Sequence, residues 1–152
     1  MKYTDVLMHD YSDAAFQAAF RAYFEELGHH LENWEGLFQE MMEAADTYTC
    51  LRRNEAGEVV GFVQFTTMEM SGWFFRVKCG FIREFWIAPP LRRQGHGSEL
   101  LRLAEEWLRQ QNCCYVLLTT DTAPDFYRRH GYRLQPGIEA RNRDDVYLKV
   151  LA

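Results

Sequence analysis

A chain of 152 residues, 47% hydrophobic and 26% charged, has room for one ordinary core and is too apolar and aromatic to stay disordered. Its formal net charge of −5 argues against non-specific nucleic-acid binding, and no apolar run approaches the roughly 20 residues that span a bilayer as a helix. Cys50, Cys79, Cys113 and Cys114 show no zinc-ligand spacing and no disulfide framework. The first residues carry no signal-like apolar segment, so the expectation is a single domain over residues 1–152 in the cytoplasm, with no metal, nucleic-acid or membrane partner. The mild acidity fits either steering of a cationic substrate or simple solubility.

In chain order, residues 3–8 read as a short strand. Ser12 is a candidate N-cap for a helix over 13–27. Phe16, Phe20, Tyr23, Phe24 and Leu27 share its face, and Gly28 ends it. A second helix over 33–45 presents Trp34, Leu37, Phe38, Met41 and Ala45. The pattern then becomes extended, with strands at 47–53 and 59–68 joined by an Asn54–Gly57 turn. Further strands are predicted at 73–77 and 81–87, interrupted by Lys78-Cys79-Gly80, and Pro89-Pro90 closes the second. Trp73, Phe74 and Phe75 are expected in the core by default, with a wall of the site or a dimer patch as alternatives. A helix over 98–111 turns Leu100, Leu101, Ala104, Trp107 and Leu108 inward and allows a Glu105–Arg109 pair. A strand at 114–120, a short helix at 123–129 closed by Gly131, and strands at 132–134 and 146–151 complete the chain. The order is β-α-α-β-β-β-β-α-β-α-β-β, an α+β (mixed α/β) chain with a central mixed sheet flanked by helices.

The unit that carries chemistry is a strand, then Arg92-Arg93-Gln94-Gly95-His96-Gly97, then a helix. A helix N-terminus offers amides without intrahelical partners and a partial positive charge, which together suit an anion. Gly95 and Gly97 allow close approach and unusual dihedrals, and Arg92 and Arg93 add charge. By itself the loop fits equally a tight turn with solvated arginines. Neither the Walker spacing nor the dinucleotide fingerprint is present, since Leu100 stands where the latter needs its third glycine.

Residues 81–101, FIREFWIAPPLRRQGHGSELL, closely resemble the acetyl-CoA-binding motif of the GNAT superfamily of N-acetyltransferases. Arg92, Gly95 and Gly97 occupy its [RQ]-x-x-G-x-[GA] positions. The resemblance implies the GNAT acyl-CoA N-acyltransferase fold. It also implies that amides from Arg92 through Arg93, Gln94, Gly95, His96 and Gly97 to Ser98 hold the coenzyme A pyrophosphate. The strand Phe85, Trp86 and Ile87 would bond the pantetheine arm through its backbone, and an amide near Ile87 would stabilise the oxyanion.

A second match follows in TTDTAPDFYRRHGYR, where Ala123, Phe126, Tyr127, Gly131 and Tyr132 fit a second GNAT motif. Thr120 replaces the Asn frequent at its first position, which changes one expected contact to the pantetheine arm. By resemblance the Tyr127 hydroxyl lies near the coenzyme sulfur. There a phenol can give a proton to the departing thiolate.

An amine must lose a proton before it attacks, and Glu84 is the leading candidate base. Strand alternation puts Glu84 and Trp86 on one face and Phe85 and Ile87 on the other, without deciding which face meets the acceptor. Glu84 could instead pair with Arg83 or Arg76, and His29 and His30 are further candidates. The family's acceptor pocket draws on the first two helices, which here supply Glu25, Glu26, Glu32, Trp34 and Glu35. The expected function is acetyl transfer from acetyl-CoA to a primary amine of a small molecule or peptide. A non-catalytic acetyl-CoA sensor or protein-interaction module on the same fold is the alternative, and a homodimer stays open.

Overall fold

The structure, a computed structural model, describes residues 2–151. Its strands are β1 (Tyr3–Met8), β2 (Thr47–Asn54), β3 (Val59–Ser71), β4 (Arg76–Ile87), β5 (Tyr115–Thr120), β6 (Arg133–Leu134) and β7 (Asp145–Val150). Its helices are α1 (Ala14–Glu26), α2 (Trp34–Glu43), α3 (His96–Gln110) and α4 (Pro124–Arg129), with a 3-10 turn at Pro89–Leu91. The strands form one sheet in the order β1-β2-β3-β4-β5-β7-β6. The β4–β5 pair is parallel, and the β1–β2, β5–β7 and β6–β7 pairs are antiparallel.

The mixed α+β architecture expected from the sequence is present, with one strand fewer. A single twelve-residue β4 replaces the two strands expected around Lys78-Cys79-Gly80. Gly80 does not break it. Its missing side chain makes room for Leu108, since a Cβ there would lie 2.6 Å from Leu108 Cδ1. Trp73, Phe74 and Phe75 are neither strand nor core. They lie in the turn closed by the Gly72 amide, which donates to the Phe75 carbonyl at 2.9 Å, and Trp73 and Phe74 are 98% and 95% exposed.

Packing divides the chain into two compact units. The first comprises the residues up to Gln64 together with Glu84–Leu101. Its core gathers Tyr11, Phe16, Phe20, Phe38, Met41, Leu51, Phe62 and Trp86. Phe62 of β3 stacks on Phe20 of α1 at 5.7 Å between ring centroids. Asp13, not Ser12, caps α1: its carboxylate accepts the Phe16 amide at 2.8 Å, while the Ser12 hydroxyl donates to Asp10 at 2.6 Å. At the other end Gly28 is left-handed, and its amide bonds Glu25 while His29 bonds Phe24. This double closure is the Schellman arrangement, and it ends α1 sharply after Glu26, leaving Leu27 half exposed.

The second unit comprises Phe65–Arg83 and the residues from Arg102 onward. Phe65, Ala104, Leu108, Val116, Leu118, Tyr132 and Tyr147 are buried. Glu105 is buried too, and it does not pair with Arg109. It accepts from the Tyr132 hydroxyl and from Lys149, each at 2.8 Å, while Arg109 reaches Glu106. A buried carboxylate needs more than one donor, and these two elements supply them.

Candidate active site

Helical spacing sets the first half of the site. Tyr23 and Glu26 stand three residues apart on α1 and therefore on one face. Strand spacing sets the second half, because Glu84 and Trp86 stand two apart on β4. The two patterns meet. The Tyr23 hydroxyl donates to the Glu84 carboxylate, and the Trp86 indole donates to Glu26 at 3.0 Å. The Glu84–Trp86 face is thus the one that looks at α1. The structure gives Glu84 the Tyr23 hydroxyl as a partner.

Arg92 adds a third element. Its Nη2 donates to both oxygens of Glu26, at 2.7 and 2.8 Å, and its Nε donates to the Ile87 carbonyl at 2.8 Å. Arg92 and Trp86 together hold the Glu26 carboxyl below the usual carboxylate range, with the arginine the larger cause. The guanidinium ties the end of β4 to the end of α1.

Between the 3-10 turn and α3, Arg93 (φ 63°) and Gly95 (φ 89°) are both left-handed. Left-handed residues interleaved in a turn are the geometry of backbone anion cradles. Gly95 also accepts the first helical bond, from the Glu99 amide at 3.1 Å, so α3 begins at His96, two residues earlier than expected. Gly97 therefore lies inside the first turn of α3, and the second unusual dihedral belongs to Arg93 instead.

The His96 ring does not turn outward with the loop. It is buried, edge-on to the Tyr3 ring at 4.6 Å, with Nδ1 2.9 Å from Arg52 Nη1. Arginine can only donate, so Nδ1 accepts and the proton sits on Nε2. Nε2 is buried without a hydrogen-bond partner among the described residues. Arg52, itself buried, also grips Asp5 through two bonds and Glu99 at 2.8 Å, which fixes the first turn of α3 against β1 and β2. Glu99 is held below its ordinary range by that guanidinium. Sequence reading missed Arg52; its only trace is the first of two adjacent arginines near the end of β2.

Tyr127 and Thr120 belong to the second unit. Tyr127, on α4, is 9% exposed, beside the rings of Phe126 and Tyr132. Burial pushes its phenol up to about 12. It is therefore protonated, and able to donate, throughout the neutral range. The Thr120 hydroxyl accepts the Ala123 amide at 3.1 Å and so shapes the entry to α4.

No group of three or more metal-ligating side chains occurs among the described residues, and no helix is long and apolar enough to cross a membrane. The sequence model of the Acetyltransferase (GNAT) family matches residues 8–132. An aminoalkylphosphonate N-acetyltransferase of Salmonella typhimurium is 32% identical over 106 residues, 65% of this chain and 64% of that one. A blasticidin-S acetyltransferase of Streptomyces morookaense is 34% identical over 101 residues, 64% of this chain and 65% of that one. Both matches span slightly less than two thirds of the relative's own length. Among solved structures, a GNAT-family acetyltransferase from Staphylococcus aureus superposes with a TM-score of 0.72 at 12% identity, over 99% of this chain and all of that one. At that identity the likeness speaks for the fold.

Proposed function

Since the chain belongs to the GNAT family of acetyltransferases, we propose that it transfers the acetyl group of acetyl-CoA to a primary amine in a ternary complex. The observation that carries this reading is the loop, where left-handed Arg93 and Gly95 lead directly into the fifteen-residue α3. That backbone fits a pyrophosphate, which needs converging amides more than side-chain charge.

Acetyl-CoA supplies an activated acetyl thioester, whose transfer yields an amide and a free thiol. Amides of Arg92 to Ser98 hold the diphosphate, and the backbone of Phe85, Trp86 and Ile87 aligns the pantetheine arm. Glu84 takes the proton that the acceptor ammonium must lose, directly or through water. Tyr127 keeps its proton at neutral pH and gives it to the departing sulfur. Glu84, held by the Tyr23 hydroxyl, supplies a carboxylate that favours a cationic acceptor. Two relatives are named for small molecules, an aminoalkylphosphonate and blasticidin S, which favours a small amine over a peptide.

The test is a thermal-stability titration with acetyl-CoA. A ligand that binds only the native state raises Tm in step with RT ln(1 + [L]/Kd). The parent and Tyr127→Phe should respond and Gly95→Glu should not; amines are then screened by thiol release. No shift with saturating acetyl-CoA or other acyl-CoAs would sink the proposal.

A further inference from the structure

The helix α4 has only six residues, too few to hold their shape unaided, so contacts outside it must place Tyr127. Its C-terminal closure supplies the first of them. Gly131 is left-handed at φ 90°, its amide donates to the Arg128 carbonyl at 3.1 Å, and the Tyr132 amide donates to the Tyr127 carbonyl at 3.1 Å. In this Schellman closure the residue after the glycine packs back on the last turn. Here that contact joins two phenols: the Tyr132 ring stands edge-on to the Tyr127 ring, with 5.7 Å between centroids and 71° between planes. An edge-to-face pair favours a direction as well as a distance.

Tyr132 is in turn held from two other elements. Its hydroxyl donates to Glu105 of α3 at 2.8 Å, and Lys149 of β7 donates to the other oxygen of that carboxylate at 2.8 Å. Lys149 Nζ also lies 5.7 Å from the centre of the Tyr132 ring. Tyr132 and Glu105 are buried. Replacing such a buried ion pair by apolar residues is often neutral or stabilising, so stability is a poor reason for this one. What it supplies beyond an apolar trio is direction, because two hydrogen bonds fix where the Tyr132 ring stands. We propose that Tyr132, anchored by Glu105 and Lys149, is a positioning residue that aims the Tyr127 phenol. The inference rests on the proposed acid role of Tyr127. As the C–N bond forms, the C–S bond breaks, the phenol proton passes to sulfur, and the proton taken from the amine returns through solvent to the phenolate. A displacement of about 1 Å in a reacting group can cost such a step up to 10²-fold, so the support of the ring matters to the rate.

Thiol release from saturating acetyl-CoA tests this, with spermidine, ethanolamine and glycinamide as amine probes and, lacking turnover with all three, water as the acceptor. Melting temperature is the folding control, and its rise with acetyl-CoA measures affinity. Tyr132→Phe keeps the ring and removes the anchoring bond. It should lower kcat about ten-fold at unchanged acetyl-CoA affinity, and lower it no further in a Tyr127→Phe background. Lys149→Met acts one step further out, through Glu105, and should give a smaller loss of the same kind. Parental kcat in both variants overturns the proposal. So does a loss of equal size with and without the Tyr127 phenol, which would make Tyr132 part of the general packing. Parental kcat in Tyr127→Phe, or a parent that releases no thiol with any acceptor, is a different failure: it removes the acid role of Tyr127, and with it anything for Tyr132 to aim.

Discussion

Arg52 on β2 donates a hydrogen bond across 2.9 Å to Nδ1 of His96, the first residue of α3. The same guanidinium neutralises Asp5 and Glu99, so one buried side chain anchors the helix whose N-terminus is proposed to face the diphosphate. Arg52→Met should cost about 1–3 kcal/mol, because it removes the partner of the buried His96 Nδ1 and of two partly exposed carboxylates. Arg52→Lys keeps the charge but loses the fork, and should recover only part of that. Urea unfolding measures the first effect. Weaker acetyl-CoA binding by the folded lysine variant would show that the anchor serves the loop.

The Tyr23–Glu84 contact separates the proposed base from its support. Glu84→Gln should lower kcat/KM by about 10² and leave acetyl-CoA affinity unchanged. Tyr23→Phe should cost less, because the carboxylate survives and only its aim is lost. In a double-mutant cycle the two losses should be strongly non-additive. Additive losses would mean that the hydroxyl and the carboxylate serve unrelated ends.

The contrast between those residues and the loop explains what the sequence could reveal. Helix faces, the Gly28 stop, the Asn54–Gly57 turn and the glycine loop are local patterns, legible because proline, glycine and periodicity act within a few residues. Tyr23 reads from sequence as one more aromatic of the apolar face, and Arg52 as a charge on a strand. Their roles come from partners tens of residues away, which no local rule pairs. Gly80 reads as a break because local rules know only its flexibility, not the Leu108 side chain it admits. The Trp73–Phe75 run misleads for a related reason: apolarity marks a surface that wants covering, not the molecule that covers it.

Gly61 shows the same close-approach logic next to the site. A Cβ there would lie 2.5 Å from the Trp86 carbonyl oxygen and 3.1 Å from Ile87 Cα, both backbone atoms that cannot yield cheaply. Gly61→Ala should destabilise the fold by about 1–3 kcal/mol and push the end of β4 out of line. The measurable result is a lower urea midpoint together with a rise in KM for acetyl-CoA. An unchanged KM would remove the Phe85–Ile87 backbone from the proposed pantetheine contacts.

Tyr127 makes two separable predictions. In catalysis, Tyr127→Phe should lower kcat by roughly 10², the scale of one general acid, with no loss of acetyl-CoA affinity. In stability, the sign follows from where the proton sits. Burial raises the phenol from 10.0 to about 12 in the folded chain, so above pH 10 the unfolded state releases a proton that the folded state keeps. Stability contributed by the neutral phenol is complete below pH 10 and is lost as pH rises toward 12, at about 1.4 kcal/mol per pH unit for one group. Tyr132 is raised as well, by burial and by Glu105, and adds to the same slope. Denaturant unfolding between pH 9 and pH 12 should therefore fall steeply in the parent and about one proton less steeply in Tyr127→Phe. Equal slopes would mean that the Tyr127 phenol reaches solvent, which would also remove the reason for its staying protonated at the sulfur.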